Sequence, residues 1–404
     1  MATVVGQIPA RPGTSQNDLS DREAVIVSAV RTPVGRASKG SLKDLRIDDL
    51  GALVVKEALA RVPQIDLNIV EDVIMGCAVP EGEQGLNVAR LIGLLAGLPE
   101  TVGGVTVNRF CSSSLQAINM AAQNVMLNLG DVFVAGGIES TSHVPMSGFN
   151  PAMNRKLVGG KSGFPEAYIP MGMTAENVAR QYKISRAEQD EFALQSHLKA
   201  VKAQAAGMFE AEILPITLPD GSVVSKDDGP RGDTSLERLA TLKPVFVEGG
   251  TVTAGNSSPL NDGAAAVVIM SLGKARELGI KPLARIVSLA VAGVAPEMMG
   301  IGPVPAVKKV LARAGLTIND IDLVELNEAF AAQALAVVRD LEIPMEKLNP
   351  KGGAIAIGHP LGCTGARIMT TLINDLRQFD ALLAIETMCI GGGQGLATII
   401  ERMN

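Results

Sequence analysis

The sequence of 404 residues has no tryptophan, only three histidines and four cysteines, and aromatic residues make up just 3% of it. No two cysteines have the C-x-x-C spacing, which excludes a zinc ribbon, and their wide separation excludes a disulfide framework. We therefore expect no metal site, and we expect free thiols in a reducing compartment. Each of the four cysteines is then either a buried structural residue or a reactive thiol, and these are Cys77, Cys111, Cys363 and Cys389.

The chain also lacks a dense run of basic residues, and its net charge is -6. Binding to a phosphate backbone requires a basic surface, so nucleic acid is excluded as a partner. Apolar runs such as residues 264–270 are far shorter than the roughly 20 residues needed to cross a bilayer. We expect no membrane span.

Targeting signals are missing as well. Residues 1–21 contain neither the apolar segment of a secretory signal nor an Arg-rich amphipathic pattern, and we expect residues 1–22 to form a flexible arm. The final residues are not a Ser-Lys-Leu peroxisomal address. The expected location is therefore cytoplasmic.

What the chain does contain is typical of an enzyme-sized α/β protein. Hydrophobic residues account for 47% of it, and 43 glycines with 22 prolines predict many tight turns. At about 100–200 residues per domain, the length indicates two or three domains, or one duplicated fold. Strand-like runs alternate with segments of helical spacing, which predicts an α/β fold with a buried sheet. The predicted strands are residues 23–28, 72–75, 104–108 and 131–135, and the helices are residues 48–61 and 112–129.

A short segment recurs about 250 positions later in the chain. Residues 55–61 and 307–313 match at five of seven positions, and an acidic, then apolar strand follows each. Chance similarity between common helix formers is the simpler alternative. We favour an internal duplication, because helix and strand both line up, with halves at residues 23–277 and 278–404. A pocket is expected between two such halves.

Residues 140–244 interrupt this rhythm and are expected to form an inserted loop domain within the first half. They contain one clear predicted helix, residues 186–206. Such an insertion is either surface elaboration or a lid or ligand-binding cap over the core.

Cys111 lies where a predicted strand ends and a helix begins, and the serines after it are able to cap that helix. A helix N-terminus lowers the pKa of a thiol, so Cys111 is a candidate nucleophile. For a cysteine considered alone, the role of a small buried residue is the better interpretation.

His359 lies in the second half at a similar corner, by which we mean the junction after a predicted strand. It stands between a glycine and a proline and follows the strand-like run of residues 351–357. It is either a turn histidine or a general base. The other two histidines, His143 and His197, are interpreted as loop and helix surface residues.

Two further corners carry polar or reactive residues. Asn327 is either the N-cap of a helix that extends through Val338 or an amide that holds a water or a carbonyl oxygen. Cys389 precedes a glycine-rich turn between predicted strands at residues 381–385 and 396–400. Because no helix follows the turn, a dinucleotide-binding fingerprint is excluded, but its backbone N–H groups are able to face a ligand.

Together these corners resemble the motifs of the thiolase family. Any one motif is weak evidence, but four in order are highly specific, and the similarity extends from about residue 22 to residue 402. The resemblance implies two similar α/β halves in a layered α-β-α-β-α core with an inserted loop domain. The motifs are C-x-S at residues 111–113, N-E-A-F at 327–330, G-H-P at 358–360 and C-x-G at 389–391.

The resemblance also implies a mechanism. Cys111 would attack the keto carbon of a 3-ketoacyl-CoA after His359 takes its proton, giving an acyl-cysteine. His359 and a water on Asn327 would hold the acetyl-CoA enolate, and Cys389 would protonate it and later act as base toward CoA. The N–H groups of Cys111 and Gly391 would stabilise the tetrahedral intermediates.

For coenzyme A, a co-substrate and not a permanently bound cofactor, the family pattern implies three groups of contacts. Arg231 would lie near the adenine or phosphate end. The pantetheine would lie along Ala254, Gly255 and Ser258, and the acyl end along Met171 and Phe330. The loop domain would then be the CoA-binding cap.

Several alternatives stay open. Ile169 and Pro170 before the Met-Gly pair resemble the degradative, broad-chain type and favour β-oxidation, with a short-chain acetoacetyl-CoA thiolase as the alternative. Ser114, where many members have glycine, leaves the thiol unaffected. A non-catalytic acyl-CoA or sterol carrier would be expected to lose His359 or a cysteine, and a decarboxylating ketoacyl synthase would not use Cys389. A homodimer or homotetramer is expected, and a hydratase-dehydrogenase is a possible partner.

Overall fold

The computed structural model describes residues 9–158 and 164–403. Its strands are β1 (Ala24–Arg31), β2 (Gly35–Arg36), β3 (Val70–Gly76), β4 (Gly103–Val107), β5 (Val132–Ser140), β6 (Ile216–Thr217), β7 (Val223–Val224), β8 (Asn261–Ser271), β9 (Ala284–Gly293), β10 (Leu323–Leu326), β11 (Leu383–Ile390) and β12 (Gln394–Arg402). Its α-helices are α1 (Ile47–Ala60), α2 (Val88–Leu95), α3 (Ser113–Met126), α4 (Arg155–Val158), α5 (Met171–Gln181), α6 (Arg186–Ala205), α7 (Leu236–Ala240), α8 (Leu272–Glu277), α9 (Pro303–Ala314), α10 (Ala331–Leu341) and α11 (Thr364–Gln378).

Ten of these strands form one sheet in the order β10-β11-β12-β9-β1-β8-β5-β3-β4, with β2 paired to β8. The pairing pattern is the same on both sides of the junction between β1 and β9. From that junction outward, two antiparallel pairings are followed by one parallel pairing, in which β5 meets β3 and β11 meets β10. The α/β duplication predicted from the sequence is therefore confirmed at the level of the fold.

Three hydrophobic clusters separate the protein into layers. The first lies between α1 and α2 and one face of the first half of the sheet. The second surrounds α3 and α11, which lie between the two halves of the sheet. The third lies between the second half of the sheet and α9 and α10. Because α3 and α11 are both central, the loops that precede them meet in the interior, and these loops carry Cys111 and His359.

The segment at residues 140–244 contains the helices α4 to α7 and the hairpin of β6 and β7. It is fastened to the core by the guanidinium of Arg31, which lies at the end of β1 and pairs with Asp227 at 2.7 Å and with Glu212 at 2.8 Å. All three side chains are buried. Helix α5 was not predicted, because Gly172 and small or polar residues obscure its apolar spacing.

Three local expectations differ from the structure. Residues 9–22 do not behave as a free arm, since Gly13 N–H donates to Glu401 at 2.8 Å and Leu19 is buried; residues 1–8 lie outside the described residues. Residues 351–357 form turns rather than a strand, because the N–H groups of Gly353 and Ile355 donate to side chains of α6 and the 327–330 corner. Helix α10 begins at Ala331, so Asn327 is not its N-cap.

All four cysteines lie in the described ranges, and each is a buried free thiol. Within those ranges, no helix has both the length and the apolar character that crossing a bilayer demands.

Candidate active site

Cys111 lies in the 3-10 turn Phe110–Ser112, which opens α3 at the end of β4. The turn is unusual in that Phe110 has a φ of 45°, and its N–H donates to Asn108 Oδ1 at 2.8 Å. Ser113 does not cap the helix as predicted, but joins the turn by accepting from Arg109 N–H at 2.9 Å and donating to the Phe110 carbonyl at 2.7 Å. These bonds hold a sterically disfavoured backbone in place, which is common at functional sites.

Burial raises the pKa of the Cys111 thiol to about 11, although its own N–H and that of Gly391 are directed at the sulfur and oppose this rise. The sequence analysis expected a lowered pKa from the helix N-terminus, and that expectation is wrong because loss of solvation outweighs the backbone dipoles. The resting sulfur is therefore a thiol at neutral pH. A base is required to make it a nucleophile.

His359 lies in the loop before α11, in the neighbourhood of Cys111, because the turn of Cys111 packs against the turn Leu361–Cys363. Its backbone N–H donates to Asn261 Oδ1 at 2.8 Å. The preceding Gly358 has a φ of +123°, and a Cβ there would lie 2.7 Å from the Asn261 side chain. Only glycine permits this approach, which explains the Gly-His pair physically.

Hydrogen bonding fixes which nitrogen of His359 carries the proton. The Thr364 hydroxyl donates to the Pro360 carbonyl at 2.9 Å, so its oxygen is left to accept from His359 Nδ1–H at 2.6 Å. Nε2 is then unprotonated and lies 3.4 Å from Asn327 Nδ2. Burial, with a further contribution from the positive charge of Arg367, lowers the pKa of His359 to about 3. The ring is a neutral base aimed into the site, and the sequence analysis had not singled out Thr364.

Asn327 immediately follows β10, and its backbone N–H donates to the Thr387 carbonyl at 3.0 Å. Its side chain is 1% exposed, yet its Oδ1 has no hydrogen-bond partner in the described protein. Buried amide oxygens are normally paired with protein or with water. The orphaned Oδ1 therefore suits a bound water beside His359.

Cys389 is fully buried near the end of β11, and burial, reinforced by the proximity of Cys111, raises the pKa of its thiol. It shares a small apolar cluster with Met171 and Phe330, the two residues that the resemblance assigned to the acyl end. The cluster also contains Ala329 of the N-E-A-F motif, together with Ala175, Val252 and Met299, which lie outside the four motifs. The ring of Phe246 meets that of Phe330 edge to face at 6.2 Å.

A cavity of about 240 Å³ adjoins this cluster, because its lining residue Ser257 forms a β-bridge with Phe330. Three of the predicted CoA contacts line it, Arg231, Ala254 and Gly255, whereas its serine is Ser257. Ser258 is not in the lining; its N–H donates to the Ala329 carbonyl at 3.0 Å, which places it next to the apolar cluster. Arg36 and Arg238 also line the cavity, and no motif pointed to either. Three arginines against one acidic residue, Asp233, make the cavity suited to phosphates.

The other two histidines differ from each other. His197 is buried, not on the helix surface as interpreted, because its Nδ1 accepts from the N–H of Arg231 at 3.2 Å across the cavity wall. Burial, with the nearby charge of Arg231, lowers its pKa to about 4. His143 is a half-buried loop residue whose pKa is raised by its hydrogen bond to Glu83. In the part of the chain that the structure describes, no group of three His, Cys, Asp or Glu side chains converges as a metal site.

Comparison with known proteins identifies the family of the chain. The family models "Thiolase, N-terminal domain" and "Thiolase, C-terminal domain" match residues 24–273 and 280–402. A 3-ketoacyl-CoA thiolase of Bacillus subtilis is 52% identical over 392 residues, covering 94% of this chain and 99% of that protein. A 3-ketoacyl-CoA thiolase of Shewanella loihica is 50% identical and covers 94% of this chain and 100% of its own.

Among solved structures, the Bacillus anthracis acetyl-CoA acetyltransferase superposes with a TM-score of 0.86 at 43% identity, covering 94% of this chain and 98% of that one. The two family models together span nearly all of the chain, and the two relatives each match 94% of it. The chain therefore belongs to the thiolase family.

Proposed function

We propose that this protein cleaves 3-ketoacyl-CoA with CoA, giving acetyl-CoA and an acyl-CoA shortened by two carbons, as an acyltransferase of fatty-acid β-oxidation. The observation that carries the proposal is the grouping of two buried cysteines, a neutral histidine and an unsatisfied amide in one interior site. Its relatives at about 50% identity are named for the same reaction. The reverse direction is a Claisen condensation of two acyl-CoA molecules.

The first half of the reaction forms an acyl-enzyme. Nε2 of His359 takes the Cys111 proton as the sulfur bonds to the keto carbon, and the keto oxygen becomes an oxyanion. The N–H groups of Cys111 and Gly391, directed at the Cys111 sulfur, are placed beside the carbon it attacks. Each such donor contributes about 10²–10³ in rate. The bond between the keto carbon and C2 then breaks, and its electron pair goes to the acetyl-CoA enolate.

The enolate carbon takes a proton from the Cys389 thiol, while its oxygen is held by protonated His359 and by a water on Asn327 Oδ1. The Cys389 thiolate then removes the proton of incoming CoA. The CoA sulfur attacks the acyl carbon, and the Cys111 sulfur leaves and regains its proton from His359. All protons and electron pairs return to their starting groups, so no further cofactor takes part.

The cavity of about 240 Å³ is proposed as the CoA site. Arg231, with Arg36 and Arg238, is suited to the phosphates. Ala254 and Gly255 offer a narrow apolar wall for pantetheine, and Ser258 follows toward the catalytic cysteines. Met171 and Phe330 share the cluster of Cys389, so the acyl chain is proposed to lie there. Family members use CoA-linked substrates, which supports this assignment.

The degradative subtype predicts that thiolysis kcat/KM holds or rises from four-carbon to longer 3-ketoacyl-CoA substrates. The expectation is tested by steady-state assays over a chain-length series, with Cys389→Ala as the control that removes the proton donor. Activity confined to acetoacetyl-CoA would identify a short-chain acetyltransferase instead. Absence of thiolysis at every length in wild-type protein would favour the carrier alternative.

A homo-oligomer is supported by one edge of the sheet. Strand β4 ends the strand order, and its residues are exposed or half-buried, whereas the other end strand, β10, is buried. Leu86 and Leu95 nearby are 91% and 55% exposed. An open edge beside apolar side chains is rarely left uncovered, and a second copy of the chain would cover it. Light scattering is expected to give a mass of two or four chains, and a single-chain mass at micromolar concentration would contradict it.

The domain boundaries at residues 22, 140–244 and 277, the cytoplasmic location and a hydratase-dehydrogenase partner remain proposals from the sequence.

A further inference from the structure

The active site has a counterpart in the other half of the fold. Strand β3 ends at Gly76 and β10 ends at Leu326, and the pairs Gly76–Gly137 and Leu326–Thr387 occupy the same place in their parallel ladders, 250 positions apart. The residue after β10 is Asn327, and the residue after β3 is Cys77. By the same register, Cys389 of β11 corresponds to Glu139 of β5.

Glu139 is a carboxylate buried to 2% exposure in this second location. It accepts from the N–H groups of Ala78 and Gly362 at 2.8 Å each, from Gln84 Nε2 at 2.6 Å and from Val79 N–H at 3.3 Å. Every partner that it meets at these distances is a donor. A buried carboxylate is stabilised only by such a set of donors. The same hydrogen bonds hold the donor groups in place around Glu139.

One side of this arrangement leads to Cys111. The Ala78 N–H is held by Glu139, and the Ala78 carbonyl accepts from Asn108 Nδ2 at 2.9 Å. Oδ1 of the same Asn108 accepts from the N–H of Phe110, the residue whose positive φ sets the turn of Cys111. Two residues therefore connect the carboxylate to the nucleophile's backbone.

The other side leads to His359. Gly362 lies in the turn between His359 and α11, and a Cβ at Gly362 would lie 2.6 Å from the Cys77 Cα. The loop of the second half that carries His359 therefore packs against the residues that follow β3 in the first half. The Glu139 carboxylate accepts the N–H of Gly362 in this loop.

We propose that Glu139 is a positioning residue for the reaction, which aligns the nucleophile turn of one half with the base-carrying loop of the other through Ala78 and Gly362. This inference rests on the proposed thiolase reaction. The counterpart of the active site in the first half, which contains Cys77 and Glu139, would then keep the catalytic groups of the two halves aligned. Among the described residues, the partners of Glu139 do not include the reacting groups of Cys111, His359 or Cys389, although its charge contributes to the raised pKa of the Cys111 thiol.

The test is Glu139→Gln, which keeps the shape but turns an NH₂ group toward N–H donors. A displacement of about 1 Å between reacting groups costs up to about 10²-fold, so kcat for thiolysis is expected to fall by about 10- to 100-fold. KM for both substrates is expected to stay within about threefold, because the arginine-lined cavity makes no contact with Glu139. Asn108→Ala, at an exposed side chain, is expected to lower kcat in the same sense, and the double variant to lose less than the product of the two losses.

Glu23→Gln is the matched control, since Glu23 is equally buried, at 3%, and also accepts a backbone N–H. Glu23 precedes the N-terminal end of β1, whereas Glu139 lies near the C-terminal end of β5. Because β1 and β5 run in the same direction, the two carboxylates lie at opposite ends of the strands. Its kcat is expected to match wild type after correction for folded fraction. The inference is overturned if Glu139→Gln keeps kcat within twofold, if only KM changes, or if Glu23→Gln loses as much.

If Glu139→Gln does not fold, Asn108→Ala decides, and an unchanged kcat there overturns the inference. The wild-type assay separates the two proposals: inactive wild type contradicts the proposed function, whereas active wild type with an unaffected variant contradicts only the role of Glu139.

Discussion

Cys111→Ala is expected to lower thiolysis kcat by at least about 10⁴-fold while the protein stays folded. Alanine removes the only atom that forms the covalent intermediate in the proposed reaction. The change deletes one buried sulfur at a turn held by backbone and Ser113 hydrogen bonds, so the fold should persist. The measurement is steady-state thiolysis together with the intact mass after brief incubation with 3-ketoacyl-CoA.

Wild type should gain the mass of one acyl group under these conditions, and Cys111→Ala should gain none. The matched control is Cys363→Ala, because Cys363 is also buried and lies in the turn that opens α11, as Cys111 lies in the turn that opens α3. It should acylate and turn over like wild type. Acylation of Cys111→Ala, or loss of activity in both variants to the same degree, would contradict the assignment.

His359→Gln is expected to lower kcat by about 10²–10⁴-fold, the usual contribution of a positioned general base. The loss is expected to be severe here because burial holds Cys111 as a thiol, with a pKa of about 11, so little nucleophile exists without a base. Glutamine keeps hydrogen-bonding capacity toward Thr364 and Asn327 but takes up no proton. Single-turnover acylation of Cys111 measures the loss directly. A variant that acylates at the wild-type rate would contradict the role of His359 as the base.

The three histidines provide an independent check by NMR titration. His359 and His197, with pKa values lowered to about 3 and about 4, should stay neutral between pH 5 and 8. His143, whose pKa is raised by its bond to Glu83, should titrate at a higher pH than an ordinary histidine. Two histidines titrating with ordinary pKa values near 6.5 would show that the ring of His359 or His197 is solvated.

The same shifts set a direction for stability. Unfolded His359 and His197 bind protons below their unfolded pKa of about 6.5, whereas the folded protein does not. Stability from these two groups is therefore complete above about pH 6.5 and is lost as pH falls toward their folded values. His143 acts in the opposite sense: its contribution is present below about pH 6.5 and is lost as pH rises through its raised folded pKa.

The sequence by itself determined the alternation of strands and helices, the duplication and the identity of the four reactive corners. These features are local or periodic: apolar spacing marks α1 and β3, and Gly358 is required by a backbone that only glycine adopts. The C-x-S, N-E-A-F, G-H-P and C-x-G motifs each occupy three or four consecutive residues at or near the end of a strand or helix. Short-range constraints of this kind are visible in a single sequence.

Tertiary structure alone decided the environments of those residues. The pKa of Cys111 follows from burial, not from its helix, and the tautomer of His359 follows from a bond between Thr364 and Pro360. The arginines at positions 36 and 238 and the carboxylate of Glu139 reach their places from distant segments and carry no motif. Solvation and long-range hydrogen bonding depend on which segments meet, and that is fixed only when the two halves pack around α3 and α11.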